Sequence, residues 1–316
     1  MDNKPRIVFM GTPAFAVASL SALLQAKMNV VGVVTAPDKP AGRGMQLQQS
    51  AVKQFALAHD LPILQPEKLK SPEFFEALKQ WQPDLQVVVA FRMLPEQIWS
   101  FPSMGTLNVH GSLLPQYRGA APINWAIING ETKTGVTTFF IDDKIDTGAM
   151  ILNAAIEISP NENAGELHDR LMFLGSDTVV ETLKLIEKDT FVTTIQQDNP
   201  EIKTAHKLNK ENCKIDWTKS ATEIYNLIRG LSPYPVAWCY FKDSGQEWNV
   251  KIYEAKIIFE NHTYNIGTIV TTKKEIKIAV KDGFVQIISI QFPGKKKMQA
   301  NELLNGISFS ESAKAI

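Results

Sequence analysis

The stretch Leu107-Asn108-Val109-His110-Gly111-Ser112-Leu113-Leu114-Pro115 delivers an amide, an imidazole and a hydroxyl in quick succession. Thr106 to Val109 is a short apolar run of strand type. Alternation along a strand puts Asn108 and His110 on one face and Leu107 and Val109 on the other. At the carboxyl end of a strand in an α/β sheet, such a pair faces the crevice where ligands bind. The amide can donate to a developing oxyanion, and an imidazole can exchange protons near neutral pH. The alternative is a satisfied structural pair, with Tyr117-Arg118-Gly119-Ala120-Ala121-Pro122 serving only as a turn and a helix start.

A parallel sheet has to hold this pair in place. Arg6 to Gly11 has the pattern of a buried strand entering a glycine turn, and Ala14 to Leu24 has helical apolar spacing. Gly11-Thr12-Pro13-Ala14-Phe15 lacks the second and third glycines of a dinucleotide fingerprint, which argues against such a site. Strands at Asn29 to Thr35, Asp84 to Ala90 and Gly105 to His110, with helices at Ser50 to His59 and Ser71 to Trp81, continue a βαβ rhythm. The expected fold is α/β, a Rossmann-like open parallel sheet with helices on both faces. A helix at Ala121 to Ile128, a strand at Gly135 to Ile141 and a helix at Ala164 to Lys188 complete a domain over residues 1–189. Thr190 to His206 is polar and irregular, as in a linker. Residues 207–316 change character: a helix at Ser220 to Leu231 is followed by about five short alternating strands with tight turns, the pattern of a small barrel.

Composition sets bounds. The 316 residues carry 33 basic and 33 acidic side chains and are 44% hydrophobic, an ordinary globular balance with room for two domains. Net neutrality argues against wholesale polyanion binding but leaves room for a local basic face. The N-terminus runs from Met-Asp-Asn-Lys into a strand without a signal-peptide core, and no long apolar run follows, so a cytoplasmic location is expected. Cys213 and Cys239 are too few and too far apart for a metal signature and are expected as small buried hydrophobes. Asp142, Asp143 and Asp146 crowd one loop, but their spacing matches no calcium loop and no metal is expected.

Asn108-x-His110 running into Gly-Ser-Leu-Leu-Pro, with Ile145-Asp146-Thr147-Gly148 downstream, resembles the signature of the folate-dependent formyltransferases. Phe9-Met10-Gly11-Thr12-Pro13 and Lys39-Pro40-Ala41-Gly42-Arg43-Gly44 narrow the resemblance to the methionyl-tRNA formyltransferase branch, from about Ile7 to near the C-terminus. The resemblance implies transfer of a formyl group from 10-formyltetrahydrofolate to the α-amino group of methionine on charged initiator tRNA. It implies a catalytic set of Asn108, His110 and Asp146, with the Asp146 carboxylate beside the ring, where it complements an imidazolium. It places Ser112, Leu113, Leu114 and Pro115 against the folate, bordered by the segment that begins at Phe91. That segment departs from the commoner Tyr-Gly pattern, is one residue shorter, and brings Arg92 into the loop. The loop between Thr35 and Ser50 is the family's insertion for the tRNA acceptor arm, with Lys39 and Arg43 as contacts. The C-terminal barrel becomes an OB-like, tRNA-binding domain, in which Lys295, Lys296 and Lys297 can meet phosphates. A monomer is expected.

Three other readings stay open at this level. A formyltransferase acting on a purine precursor or an amino sugar would share the catalytic set but need neither the Lys39 to Gly44 insertion nor the barrel. A formyltetrahydrofolate hydrolase would substitute water for the amine. A catalytically silent RNA-binding protein would not need Asn108, His110 and Asp146 together.

Overall fold

The computed structural model describes residues 4–41 and 46–316; Arg43, expected to contact tRNA, lies outside them. The chain forms two compact units. One comprises the residues up to Gly119, Gly135–Ile156 and Asp169–Thr204, and the other Ala120–Thr134, Glu157–His168 and Ala205–Ile316.

The first unit begins with β1 (Ile7–Gly11), α1 (Ala14–Gln25) and β2 (Val30–Val34), then two short strands, β3 (Lys39–Ala41) and β4 (Gln46–Gln48). After α2 (Ala51–Ala58) come β5 (Ile63–Leu64), α3 (Pro72–Gln80), β6 (Leu85–Val89), α4 (Glu96–Trp99), β7 (Thr106–His110) and β8 (Arg118–Gly119). Beyond α5 (Pro122–Ile128), which belongs to the second unit rather than to the first as its place in the sequence suggested, lie β9 (Lys133–Phe140), β10 (Met150–Glu157), α6 (Ala164–Glu187) and β11 (Thr204–Ala205). A seven-stranded sheet has the order β10-β9-β7-β6-β1-β2-β5, parallel from β5 to β7, with β9 antiparallel to β7. The chain builds outward from β1 to β5 and then returns to β6 on the other side of β1. This reversal is the topological switch at which open α/β sheets bind ligands beyond their strand ends.

Local signals account for the helices. Ser50 accepts the Lys53 N–H at 3.0 Å to cap α2, and Ser71 accepts the Phe74 N–H at 3.2 Å with Pro72 in the first turn of α3. Strand alternation then divides the core. Val8, Met10 and Val88 cluster with Phe74 and Leu78 of α3 and Ile98 of α4. On the other face, α6 meets the sheet at Gly175, beside Val109, Val136 and Phe15. A polar contact pins the strand that matters most: Thr106 pairs with Gln86 in the ladder, and its hydroxyl donates to the Trp99 carbonyl at 2.6 Å. That register places Asn108 opposite Val88, on the face that α3 and α4 cover lower down.

Two further features differ from the sequence reading. The Thr35 to Ser50 loop carries two strands that the sequence did not announce: β3 and β4 pair antiparallel, and the base is tied by Lys53 to Asp38 at 2.6 Å and by Gln65 to Asp38 at 2.8 Å. β10 was not anticipated, because a half-exposed strand at the sheet edge with Asn153, Ala154 and Ala155 carries neither clean alternation nor β-branched enrichment.

In the second unit, α7 (Ala221–Leu231) precedes β12 (Ala237–Asp243), β13 (Gln246–Ile258), β14 (Ile269–Thr271), β15 (Ile276–Val280), β16 (Gly283–Gln291) and β17 (Met298–Gln299). α8 (Ala300–Leu304) and β18 (Lys314–Ala315) follow. The antiparallel order is β14-β15-β16-β13-β12-β18, with β17 on β16. A bridge between Thr268 and Lys314, backed by Ala315 N–H to Gly267 O at 2.8 Å, brings the two edges together into a nearly closed barrel. α7 starts at a reciprocal Ser220–Glu223 capping box and contributes Ile224, Ile228 and Leu231 to the barrel core. Cys213 and Cys239 are free and buried, and burial pushes the Cys239 thiol far above its usual range. Among the described residues, no helix is long and apolar enough to cross a membrane.

Candidate active site

β7 ends in His110, and the two loops that follow β7 and β9 converge on that imidazole. His110 is 6% exposed. Its Nε2 lies 2.8 Å from the Tyr117 carbonyl, which can only accept, so Nε2 carries a proton. Its Nδ1 lies 3.6 Å from Asp146 Oδ2, an ion-pair separation rather than a hydrogen bond. Both ring nitrogens therefore face acceptors, one within hydrogen-bond distance and one beyond it. The Nε2–H is engaged by Tyr117, so donation from His110 to a substrate oxygen requires the ring to exchange that partner.

Asp146 comes from the turn between β9 and β10 and has φ +56°, a left-handed conformation that Asp adopts more readily than most residues. Its Oδ2 accepts the Gly119 N–H at 2.9 Å, while Oδ1 makes no hydrogen bond to a described residue. The turn is shaped by Asp142, which takes the Thr147 hydroxyl at 2.8 Å and the Lys144 N–H at 3.1 Å. Asp142 is thus a loop organiser, whereas Asp143 stays exposed. Gly148 closes the turn, since a Cβ there would sit 1.7 Å from the Phe140 carbonyl oxygen.

Asn108 is half-buried, and its amide has no hydrogen-bond partner among the described residues. A polar group held in a partly desolvated site without a partner is available to substrate. Asn108 stands two residues before His110 on β7, and His110 meets Asp146 at the carboxyl end of that strand.

The residues expected to touch the folate divide in two. Ser112 and Leu114 are buried and turned inward: the Ser112 hydroxyl donates to the Gln116 carbonyl at 2.6 Å, and the Thr137 hydroxyl donates to the Ser112 carbonyl at 2.7 Å and accepts the Leu114 N–H at 3.1 Å. Leu113, Pro115 and Phe91 are half-buried and keep open surface. Arg92 does not reach the catalytic set. Its guanidinium donates to the carbonyls of Pro66 at 2.8 Å and Glu67 at 3.0 Å and stacks over Phe91, 5.3 Å from the ring centre.

Sequence reasoning missed one participant. Gln196, in the stretch expected to be a linker, donates to the carbonyls of Asp146 at 3.0 Å and Gly148 at 2.8 Å. No spacing or composition signal marks a lone glutamine in a polar, irregular run.

In the second unit, Lys295, Lys296 and Lys297 are exposed on the turn between β16 and β17, and Lys297 Nζ stands 4.8 Å over the Tyr253 ring. Lys39, in the first unit, is exposed on β3. The barrel also carries a second basic cluster: Lys210 and Lys214 lie 5.2 and 5.8 Å over the Trp238 ring. These lysines meet only because β12 brings Trp238 between them, so their positions in the chain gave no hint of it.

Residues 5–183 match the protein family described as formyl transferase, and residues 207–308 match the formyl transferase C-terminal domain. The methionyl-tRNA formyltransferase of Flavobacterium johnsoniae is 65% identical, over 99% of both chains. That of Bacteroides thetaiotaomicron is 52% identical, over 98% of both. Among solved structures, the sugar 3N-formyl transferase WlaRD, crystallised in the presence of dTDP and 5-N-formyl-THF, superposes with a TM-score of 0.67 at 22% identity. The match covers 93% of this chain and all of that one, a likeness of fold.

Proposed function

Because the chain belongs to the methionyl-tRNA formyltransferase family, we propose that it formylates the α-amino group of methionine on charged initiator tRNA, with 10-formyltetrahydrofolate as donor. What supports the assignment of roles is an Asn108 amide with no hydrogen-bond partner among the described residues, on the same strand end as a His110–Asp146 pair whose Oδ1 is free of hydrogen bonds to described residues. The relatives at 52% and 65% identity support the tRNA acceptor over a small amine or water.

The chemistry needs a neutral amine, a polarised carbonyl and a route for one proton. The amine nitrogen forms a bond to the formyl carbon, whose oxygen gains charge, and the bond from that carbon to the folate nitrogen then breaks. Asn108 donates an N–H to the charged oxygen. His110, once its Nε2–H leaves the Tyr117 carbonyl, supplies a second N–H donor to the same oxygen. Asp146 Oδ1 takes the proton released by the amine and returns it, directly or through water, to the leaving nitrogen. The donor set fits the folate substrate: open apolar surface at Phe91, Leu113 and Pro115 for its ring system, and an amide for its formyl group.

Residues 1–189 serve as the catalytic domain and 207–316 as the tRNA-binding barrel, and the 190–206 connection packs up to Thr204 with the catalytic unit. Lys39 and Arg43 meet the acceptor arm, and Lys295, Lys296 and Lys297 meet phosphates. The enzyme acts in the cytoplasm as a monomer. Steady-state kinetics test the roles: Asn108→Ala should lower kcat by about 10²–10³, the usual cost of one oxyanion donor, with little change in KM. Equal turnover by Asn108→Ala and wild type would remove Asn108 from the mechanism. For the tRNA contact, Arg43→Ala should depress formylation of charged initiator tRNA while slow hydrolysis of the formyl donor continues unchanged. Equal losses in both reactions would place Arg43 in the folate site or the fold.

A further inference from the structure

We propose that Gln196 is a positioning residue for formyl transfer, fixing the Asp146 carboxylate against His110. The chemistry it serves rests on the functional reading above.

Gln196 is 9% exposed although it comes from a polar, irregular segment. Its carboxamide is used at both ends. Nε2 donates to the carbonyls of Asp146 and Gly148, at 3.0 and 2.8 Å, and Oε1 accepts from Arg118 Nε at 3.0 Å. The first two bonds grip the backbone on either side of Thr147, where Asp146 itself is left-handed. The third leads to the segment Tyr117–Gly119, which holds the other half of the pair: the Tyr117 carbonyl takes the His110 Nε2–H, and the Gly119 N–H donates to Asp146 Oδ2. Arg118 is anchored in turn by Asp198 at 2.6 Å, so the 190–206 segment holds both ends of this link.

One side chain therefore joins the two backbone segments that set the His110 to Asp146 separation. Gln196 does not need to touch substrate to matter. Without it, residues 146–148 can shift relative to residues 117–119, and a displacement of about 1 Å among reacting groups can cost about 10²-fold in rate. The pattern of bonds suits glutamine specifically, because two carbonyls need donors and a guanidinium needs an acceptor. Glutamate keeps the acceptor for Arg118 but turns an oxygen toward both carbonyls.

The test is a mutant cycle. Wild type, Gln196→Glu and Gln196→Ala are each measured alone and combined with Asp146→Asn, and melting temperatures are taken alongside. Turnover is read with 10-formyltetrahydrofolate plus charged initiator tRNA, and as slow hydrolysis of 10-formyltetrahydrofolate alone. Each Gln196 change should lower kcat by about 10–10²-fold, with KM for both substrates held within about twofold, and the loss should disappear in the Asp146→Asn background. Equal losses in both backgrounds, an unchanged kcat in folded Gln196→Glu, or melting of both variants below the assay temperature would each reduce Gln196 to a structural residue and overturn the proposal. A wild type that hydrolyses the donor but leaves charged initiator tRNA unformylated would overturn the tRNA reading alone. The hydrolysis ratios would still decide the role of Gln196.

Discussion

Asp146 has two duties that substitution can separate. Its charge faces His110, and its left-handed backbone turns the loop. Asparagine tolerates that backbone and removes the charge, so Asp146→Asn should melt close to wild type while losing most of its turnover. Asp146→Ala should lose the same turnover and a further ~1 kcal/mol of stability, because alanine resists the left-handed region. Melting curves measured beside kcat separate the two contributions. Gly148→Ala should be worse than either, since the 1.7 Å approach to the Phe140 carbonyl leaves no room for a Cβ. How far these residues were legible in the sequence follows from how each is placed. Asn108 and His110 share a short strand, so alternation alone predicted that they point together. Asp146 was tied to them by resemblance, because nothing local says which strand end a loop aspartate will face. Gln196 gave no signal at all, its importance arising from a long-range contact made by an ordinary side chain.

The elements were readable where capping chemistry or periodicity was strong. Ser220 before the apolar face of α7 announces the helix, and the reciprocal bonds with Glu223 are present. Ser220→Ala should lower the stability of the barrel unit by ~1 kcal/mol, read from chemical denaturation. β10 and the β3–β4 pair were missed because both are made by pairing with a neighbour rather than by any intrinsic preference of their residues. Closure of the barrel depends in part on Asp243, which accepts the Ser310 N–H at 2.9 Å and the Ser310 hydroxyl. Those bonds hold the Asp243 carboxyl below its usual range. A folded-state pKa below the unfolded one contributes stability in full above the ordinary carboxylate pKa and loses it as pH falls through the folded value. The melting temperature of Asp243→Asn should therefore fall less steeply on acidification below about pH 4 than that of wild type. Parallel acid profiles for the two would assign closure to the apolar contacts alone.

At the scale of the whole molecule, equal numbers of acidic and basic residues mean that any grip on a polyanion is local. The lysines at 295–297 are exposed on the barrel, and they are the surface proposed to meet phosphates. Replacing all three by glutamine should weaken binding of charged tRNA and flatten its salt dependence by about 0.7–0.9 in slope for each phosphate no longer neutralised. An unchanged slope would make this run a solvated turn. The central claim is that a parallel-sheet site built on Asn108, His110 and Asp146 delivers its formyl group to an amine presented by tRNA. It is tested most directly by giving the purified protein 10-formyltetrahydrofolate with, in separate reactions, charged initiator tRNA, charged elongator tRNA and free amines, and measuring formylated product. The account predicts rapid formylation of charged initiator tRNA, little of the elongator and none of the free amines; transfer to free amines with none to charged tRNA would contradict it.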